Sequence, residues 1–222
     1  MDSKQIIEKT EEFVQDYFCQ EATGHDWWHT HRVRVLALKI AREEGADSFI
    51  TEMAALLHDV GDYKFFAGDT QKGQEKVARY LHSLPLDSSL IQKILDITNN
   101  ISFMKTLATD GNFGVGDKGL EFCVVSDADK LDALGAIGIA RVFTYGGYYH
   151  RPIYDPDIPP NPNMSQEEYK TTEGPSLNHF YEKLLKLKGM MYTSSGKKLA
   201  EGRHNFLMEY LKQFYQEWKG EK

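Results

Sequence analysis

Apolar side chains recur at intervals of three and four residues along nearly the whole chain, the period of helices packed on a shared core. Ile6, Thr10, Phe13, Val14 and Tyr17 fall on one helical face, as do Val33, Leu36 and Ile40. The same spacing links Ile50, Met53, Ala54 and Leu57, then Val77, Tyr80, Leu81 and Leu84, then Leu90, Ile91, Ile94, Leu95 and Thr98. Toward the C-terminus it links Leu177, Phe180, Tyr181 and Leu184, then Leu199, Phe206, Leu207, Tyr210, Phe214 and Trp218. Strand-like alternation is almost absent. The pattern predicts an all-α chain of about eight helices with no significant sheet.

Punctuation agrees with that period. Gly45 with Asp47 ends one helix and starts the next, and Pro85 with Asp87 separates two more, Asp87 serving as a cap. Two longer stretches read as loops. Residues 99–119 carry Asn99, Asn100, Gly111, Gly114 and Gly116, and residues 145–164 carry two Gly and five Pro. No repeat and no linker divides the 222 residues, so one domain is expected over 1–222, with its core at 24–140 and C-terminal helices at 165–218 packing on it and closing the site.

Charge narrows the function. With 26 basic and 33 acidic residues the formal net charge is −7, which argues against a general affinity for nucleic acid polymers or acidic membranes. A small anionic ligand remains compatible, since local cations outweigh a net field. The N-terminal residues MDSKQIIEKTEEF lack the apolar stretch of a signal peptide, and no apolar run approaches the roughly 20 residues that span a bilayer. A cytoplasmic protein with two reduced core cysteines, Cys19 and Cys123, is the expectation.

Three segments carry titratable residues in a chemically suggestive arrangement. In GHDWWHTHRVRVLALKIA, a helix places His29, Arg32, Val33, Leu36 and Ile40 on one face, so His29 lies on the core-facing stripe, as a buried histidine or as a ligand. His31 points away from that stripe, and His25 sits at the helix start. In TEMAALLHDVGDYKF, an all-round apolar helix ends at His58 and Asp59. A buried carboxylate there is costly unless it is paired, hydrogen-bonded or on a metal. In FCVVSDADKLDALGAIGIAR, helical spacing puts Asp129 and Asp132 on one side and Asp127 largely opposite Asp129. The small residues Ala133, Gly135, Ala136 and Gly138 read as the same helix continuing where a second helix or a ligand comes close. Imidazole and carboxylate without thiolate suit one divalent ion among Mn, Fe, Co, Ni, Mg and Zn.

The ordered blocks H-x-x-R-V, H-D and D-A-D-x-L-D resemble the HD-domain metal-dependent phosphohydrolases, an all-α superfamily. HDWWHTHRV, LLHDVGD, DADKLDALGAIGIAR and HFYEKLLKL are similar to a branch of small single-domain bacterial members related to nucleoside-triphosphate pyrophosphohydrolases. The resemblance implies His29, His58, Asp59 and Asp129 as metal ligands, with Asp127 the less favoured carboxylate. Binuclear members have two further histidines between the H-D doublet and the distal Asp. Residues 60–128 hold only His82, which favours one ion.

The resemblance also implies Asp62 as general acid/base and Lys130 as a phosphate contact. Lys64, and the i, i+4 pair His179 and Lys183, are further candidates for phosphate. Arg32 reads as structural, pairing with a buried acid. Tyr145, Tyr148, Tyr149 and Arg151 lie in the second loop, placed to stack on a base or ribose. The expected activity is hydrolysis of a nucleotide phosphoanhydride by an activated water, on a monomer or homodimer. Alternatives on the same scaffold are a nucleotide phosphomonoesterase, a non-catalytic nucleotide sensor, and a helical protein whose metal is structural.

Overall fold

The computed structural model describes residues 1–20, 26–66, 68–101, 118–164, 168 and 173–222, without the side chains of Tyr63 and Lys64. Among these residues the chain forms eight α-helices of ten residues or more and no strand. They are α1 (Ser3–Tyr17), α2 (Trp27–Glu44), α3 (Ser48–Leu57), α4 (Thr70–His82), α5 (Ser88–Thr98), α6 (Leu120–Asp132), α7 (Gly135–Tyr148) and α8 (Ser194–Trp218). Between α7 and α8 lie a π-turn (Phe180–Leu184), one α-turn (Leu185–Leu187) and a 3-10 turn (Lys188–Met190). No described helix is long and apolar enough to cross a membrane.

The helix starts follow from side-chain chemistry. Asp2, Asp26, Asp47, Asp69 and Asp87 each accept a hydrogen bond from the N–H three residues on, satisfying a donor the helix leaves open. The HD dipeptide at 25–26 is therefore partly a cap: Asp26 opens α2, while His25 lies outside the described residues. Gly45 closes α2 at φ +81°, a conformation that costs glycine nothing.

α2 forms the axis, packed against α3 on one side and α6 on the other, and α8 crosses α7, α6 and α2. Val33, Ala37 and Ile40 of α2, Met53, Ala54 and Leu57 of α3, and Val124, Val125, Ala128 and Leu131 of α6 are fully buried together. This core brings the C-terminal end of α3 and the last turn of α6 beside the first turn of α2.

The structure differs from the expectations in four places. α6 does not run on through the small residues: it stops at Asp132, and α7 restarts at Gly135 with φ +71°. A Cβ there would stand 3.2 Å from Arg203 Cγ of α8, so the close approach expected of this segment is made by a neighbouring helix. Tyr145 and Tyr148 belong to the last turn of α7 and not to a loop, since the helix runs on through Gly146 and Gly147 to Tyr148. At Gly146 the side chain of Ser176 packs against the helix and leaves no room for a Cβ. Phe206 and Trp218 are exposed although the sequence groups them with the core residues: Phe206 lies about 100° around α8 from buried Leu207, off the stripe it makes with Ala200 and Leu211, and Trp218 ends the helix beyond the core. Cys19 is exposed, and Cys123 alone of the two cysteines is in the core. The middle of the 99–119 loop, residues 102–117, lies outside the described residues, as does most of 165–172.

Candidate functional site

His29, on the first turn of α2, is completely buried. Its Nε2 stands 3.3 Å from His58 Nε2, 3.2 Å from Asp59 Oδ2 and 3.5 Å from Asp129 Oδ1. His58 Nε2 is 3.5 Å from Asp59 Oδ1 and 3.9 Å from Asp129 Oδ1. Four side chains from α2, the end of α3 and the last turn of α6 thus converge on one point. Among the described residues, His29, His58 and Asp59 form a group whose ligand atoms all lie within 4.8 Å of one another.

The outer nitrogens fix what the inner ones present. His58 Nδ1 is 2.8 Å from the Ala55 carbonyl, which only accepts, so Nδ1 carries the proton and Nε2 presents a lone pair. His29 Nδ1 is 2.7 Å from Asp132 Oδ2, which sets the same tautomer. Two imidazole lone pairs and two carboxylates then face one another in a buried space, an arrangement that repels itself unless a cation lies among them. The donor set, nitrogen and oxygen without sulfur, fits a divalent metal.

Asp132 was not singled out by the sequence beyond sharing a side with Asp129. It also receives Arg32 Nε at 2.7 Å, Arg32 Nη2 at 3.0 Å and Arg141 Nη1 at 2.8 Å. Arg32 is thus the partner of a buried acid. Burial opposes the charge on Asp132, but His29 and the two arginines outweigh it and hold the carboxyl well below its usual range. Burial and Arg141 disfavour a charge on His29, but the neighbouring carboxylates of Asp132 and Asp59 outweigh them and raise its pKa. The cluster's field is one that attracts positive charge.

Asp127 faces away from the cluster. Its carboxylate accepts the Tyr192 N–H at 2.9 Å, the Thr193 N–H at 2.8 Å and the Thr193 hydroxyl at 2.7 Å, bracing the start of α8. Lys130 is also buried, its Nζ donating to Ser126 Oγ at 2.5 Å and lying 4.7 Å from the Tyr192 ring centre. Burial pulls its pKa down to about 8 against the pull of Asp127 and Asp129.

Asp62 sits on the turn after the doublet, its N–H donating to the Asp59 carbonyl at 3.1 Å. Its charge is felt at Tyr17 of α1, whose pKa burial and Asp62 together raise. His82 is exposed at the end of α4, with Nδ1 on the Ala78 carbonyl. The side chain of Lys64 is outside the described set. Tyr145 and Arg151 lie together at the end of α7, and His179 and Lys183 lie at the π-turn. Arg151 lies 5.4 Å from the Tyr145 ring centre, Tyr149 caps α7, His179 precedes the π-turn and Lys183 lies within it.

Comparison with known proteins places these features among relatives. The HD domain family model matches residues 27–134. A Lactobacillus plantarum protein of known structure superimposes with a TM-score of 0.85 at 33% identity, over 99% of this chain and 100% of that one. An HD-superfamily hydrolase from Bacillus thuringiensis gives 0.75 at 41% identity, over 98% and 99%. Bacillus subtilis YpgQ is 34% identical over 214 residues, 96% of this chain and 94% of that protein. Its crystal structure in complex with ADP gives a TM-score of 0.72 at 32% identity, over 95% and 97% of the two chains.

Proposed function

We propose that this chain, which belongs to the HD-domain superfamily of metal-dependent phosphohydrolases, hydrolyses the phosphoanhydride of a nucleotide, a (d)NTP giving (d)NMP and pyrophosphate. The observation that carries the reading is the facing of two tautomer-fixed imidazole nitrogens and two carboxylates across less than 4 Å. The complex of YpgQ with ADP supports a nucleotide as the ligand class.

His29, His58, Asp59 and Asp129 would hold one divalent ion. When bound, such an ion supplies Lewis acidity toward a phosphate oxygen and makes water acidic enough to ionise near neutral pH. The protein's own groups do the rest. Asp132 and the Ala55 carbonyl keep both imidazoles oriented, with Nε2 free of its proton. Asp62 is assigned the proton released at the attacking water, held at its carboxylate oxygen. Lys130 offsets charge that grows on the phosphate oxygens.

Protein purified without chelator should carry up to one equivalent of a divalent metal. A screen of NTPs, dNTPs and monophosphates with Mn, Co, Ni, Mg and Zn, with products identified, then tests the bond cleaved. Pyrophosphate release bears the reading out. Release of inorganic phosphate from monophosphates would replace it with a phosphomonoesterase, and nucleotide binding without turnover would replace it with a sensor.

A further inference from the structure

Arg34, on α2, has two carboxylates to itself: Nε donates to Glu52 at 2.7 Å and Nη1 to Glu11 at 2.8 Å. Around Asp132 that ratio is reversed. Arg32 of α2, Arg141 of α7 and Arg203 of α8 come from three helices to the break between α6 and α7. Arg32 and Arg141 share the carboxylate of Asp132. Arg203 donates to the carbonyl of the preceding residue, Leu131, its side chain lies against Gly135, and it feels the charge of Asp132.

Most of the donors here are left over. A guanidinium donates from all of its nitrogens. Arg32 uses Nε and Nη2, Arg141 uses Nη1, and Arg203 uses Nη1. Among the described residues, Nη1 of Arg32 and both Nε and Nη2 of Arg141 and Arg203 meet no protein acceptor. The three charges face Asp132, which also serves His29 Nδ1, and Asp26, whose field reaches Arg32 while its Oδ1 caps α2. All three arginines are part-buried, so the open donors keep a path to solvent. Burial pulls the pKa of Arg203 down, as it does for a cation short of both water and counter-charge.

Like charges gathered in this way repel unless an anion lies among them. Asp132 neutralises one guanidinium and cannot neutralise three. The planar fork of a guanidinium matches the oxygens of a phosphate group. We infer that Arg32, Arg141 and Arg203 form a binding site for a phosphate group, distinct from the cluster of His29, His58, Asp59 and Asp129. It lies behind His29, because Asp132 meets that ring at Nδ1 and the cluster meets it at Nε2. The site does not depend on hydrolysis at the cluster, and it takes a phosphate group that is free or at the end of a nucleotide.

Sulfate is the probe, a dianion with the shape of phosphate that coordinates metals poorly and so reports on the arginines. Calorimetry on the protein as purified should show about one equivalent bound, the one site of this geometry. Arg203→Gln removes a charge that is hydrogen-bonded neither to Asp132 nor to the cluster, and should weaken sulfate roughly tenfold, the loss of one charge-assisted contact. Arg141→Lys keeps a cation for Asp132 but loses the fork; it should weaken sulfate roughly threefold, and it carries the test should the first variant fail to fold. Inorganic phosphate and ADP are then titrated against bound sulfate. Displacement by phosphate assigns the free anion, displacement by ADP alone assigns the phosphate end of a nucleotide, and either bears the site out. The site is overturned if sulfate does not bind the wild type, binds the folded variants as tightly as the wild type, or is displaced by neither phosphate nor ADP. Each of those results leaves the hydrolase reading standing.

Discussion

Asp132→Asn isolates the contribution of a residue that touches no proposed substrate. The carboxylate is buried and accepts four charge-assisted hydrogen bonds, from His29, Arg141 and twice from Arg32. Asparagine keeps the shape but turns an N–H₂ toward donors and removes the charge. Breaking a fully buried ion pair costs roughly 3–5 kcal/mol. The arginine side chains are 31% and 20% exposed and recover some water, so the low end applies, about 3 kcal/mol. For a chain of this size that lowers the melting midpoint by roughly 6–12 °C. Without the carboxylate, His29 also loses the acceptor that keeps its ring proton on Nδ1, and losing such an outer partner lowers metal affinity roughly 10–100-fold. Because the folded pKa of Asp132 is depressed, its stabilisation is complete above the ordinary carboxylate range and fades as pH falls below it. The gap between wild type and variant should therefore narrow below about pH 4. Thermal melts with and without Mn, from pH 7 to pH 3, and metal competition titrations are the assays. A variant that melts within 2 °C of wild type (roughly, by the same scaling) and binds Mn equally well would refute the argument.

Asp127→Asn removes a comparably buried carboxylate that braces α8, and should cost on the order of 2 kcal/mol while leaving metal affinity near wild type, measured by the same melts and titrations. Asp62→Asn should keep metal content and melting temperature but slow turnover roughly 10²–10⁴-fold at matched metal occupancy; a fully metallated variant with wild-type rate would strip Asp62 of its proton role. The thiols should separate cleanly. Cys19 is exposed and should react with a thiol reagent at pH 8, whereas burial pushes Cys123 up to about 11 and should leave it inert until denaturant is added. Two native equivalents of reacted thiol would contradict the packing of Cys123.

Much of this was legible in the sequence because it is local. The period of three and four residues gave the helices, and Asp47 and Asp87 gave two of their starts. The position of His29 on an apolar stripe and of His58–Asp59 at the end of an apolar helix pointed to one buried site. What was not legible depends on where distant segments meet. Nothing in DADKLDALG says that the helix breaks after Asp132, since Ala133 and Leu134 are good helix formers. The break follows from the left-handed Gly135 and from Arg203, whose side chain lies against it and donates to the Leu131 carbonyl. Arg141 reaches Asp132 only because that break turns α7 back beside α6. The exposure of Trp218 is likewise a matter of where the core ends, which helical period does not record, whereas Phe206 sits off the buried stripe of Ala200, Leu207 and Leu211.

The three aspartates of α6 show how one short segment can serve three ends. At 100° per residue Asp127 and Asp129 point nearly opposite ways, and Asp132 falls about 60° from Asp129. Asp129 therefore reaches the cluster, Asp132 reaches the outer nitrogen of His29, and Asp127 reaches across the helix to Thr193. Thr193 in turn caps α8 through Gly196, where a Cβ would stand 2.3 Å from Asp127 Oδ2. The helix that carries a proposed ligand is thus fastened on its other side to the start of the C-terminal helix. Any force that lifts α8 acts on α6 within one turn of Asp129. Position 196 tests this coupling: Gly196→Ala pushes Asp127 aside without altering any residue of the cluster. If α6 transmits the strain, metal affinity falls with stability; if α6 is held rigidly by α2, stability falls alone.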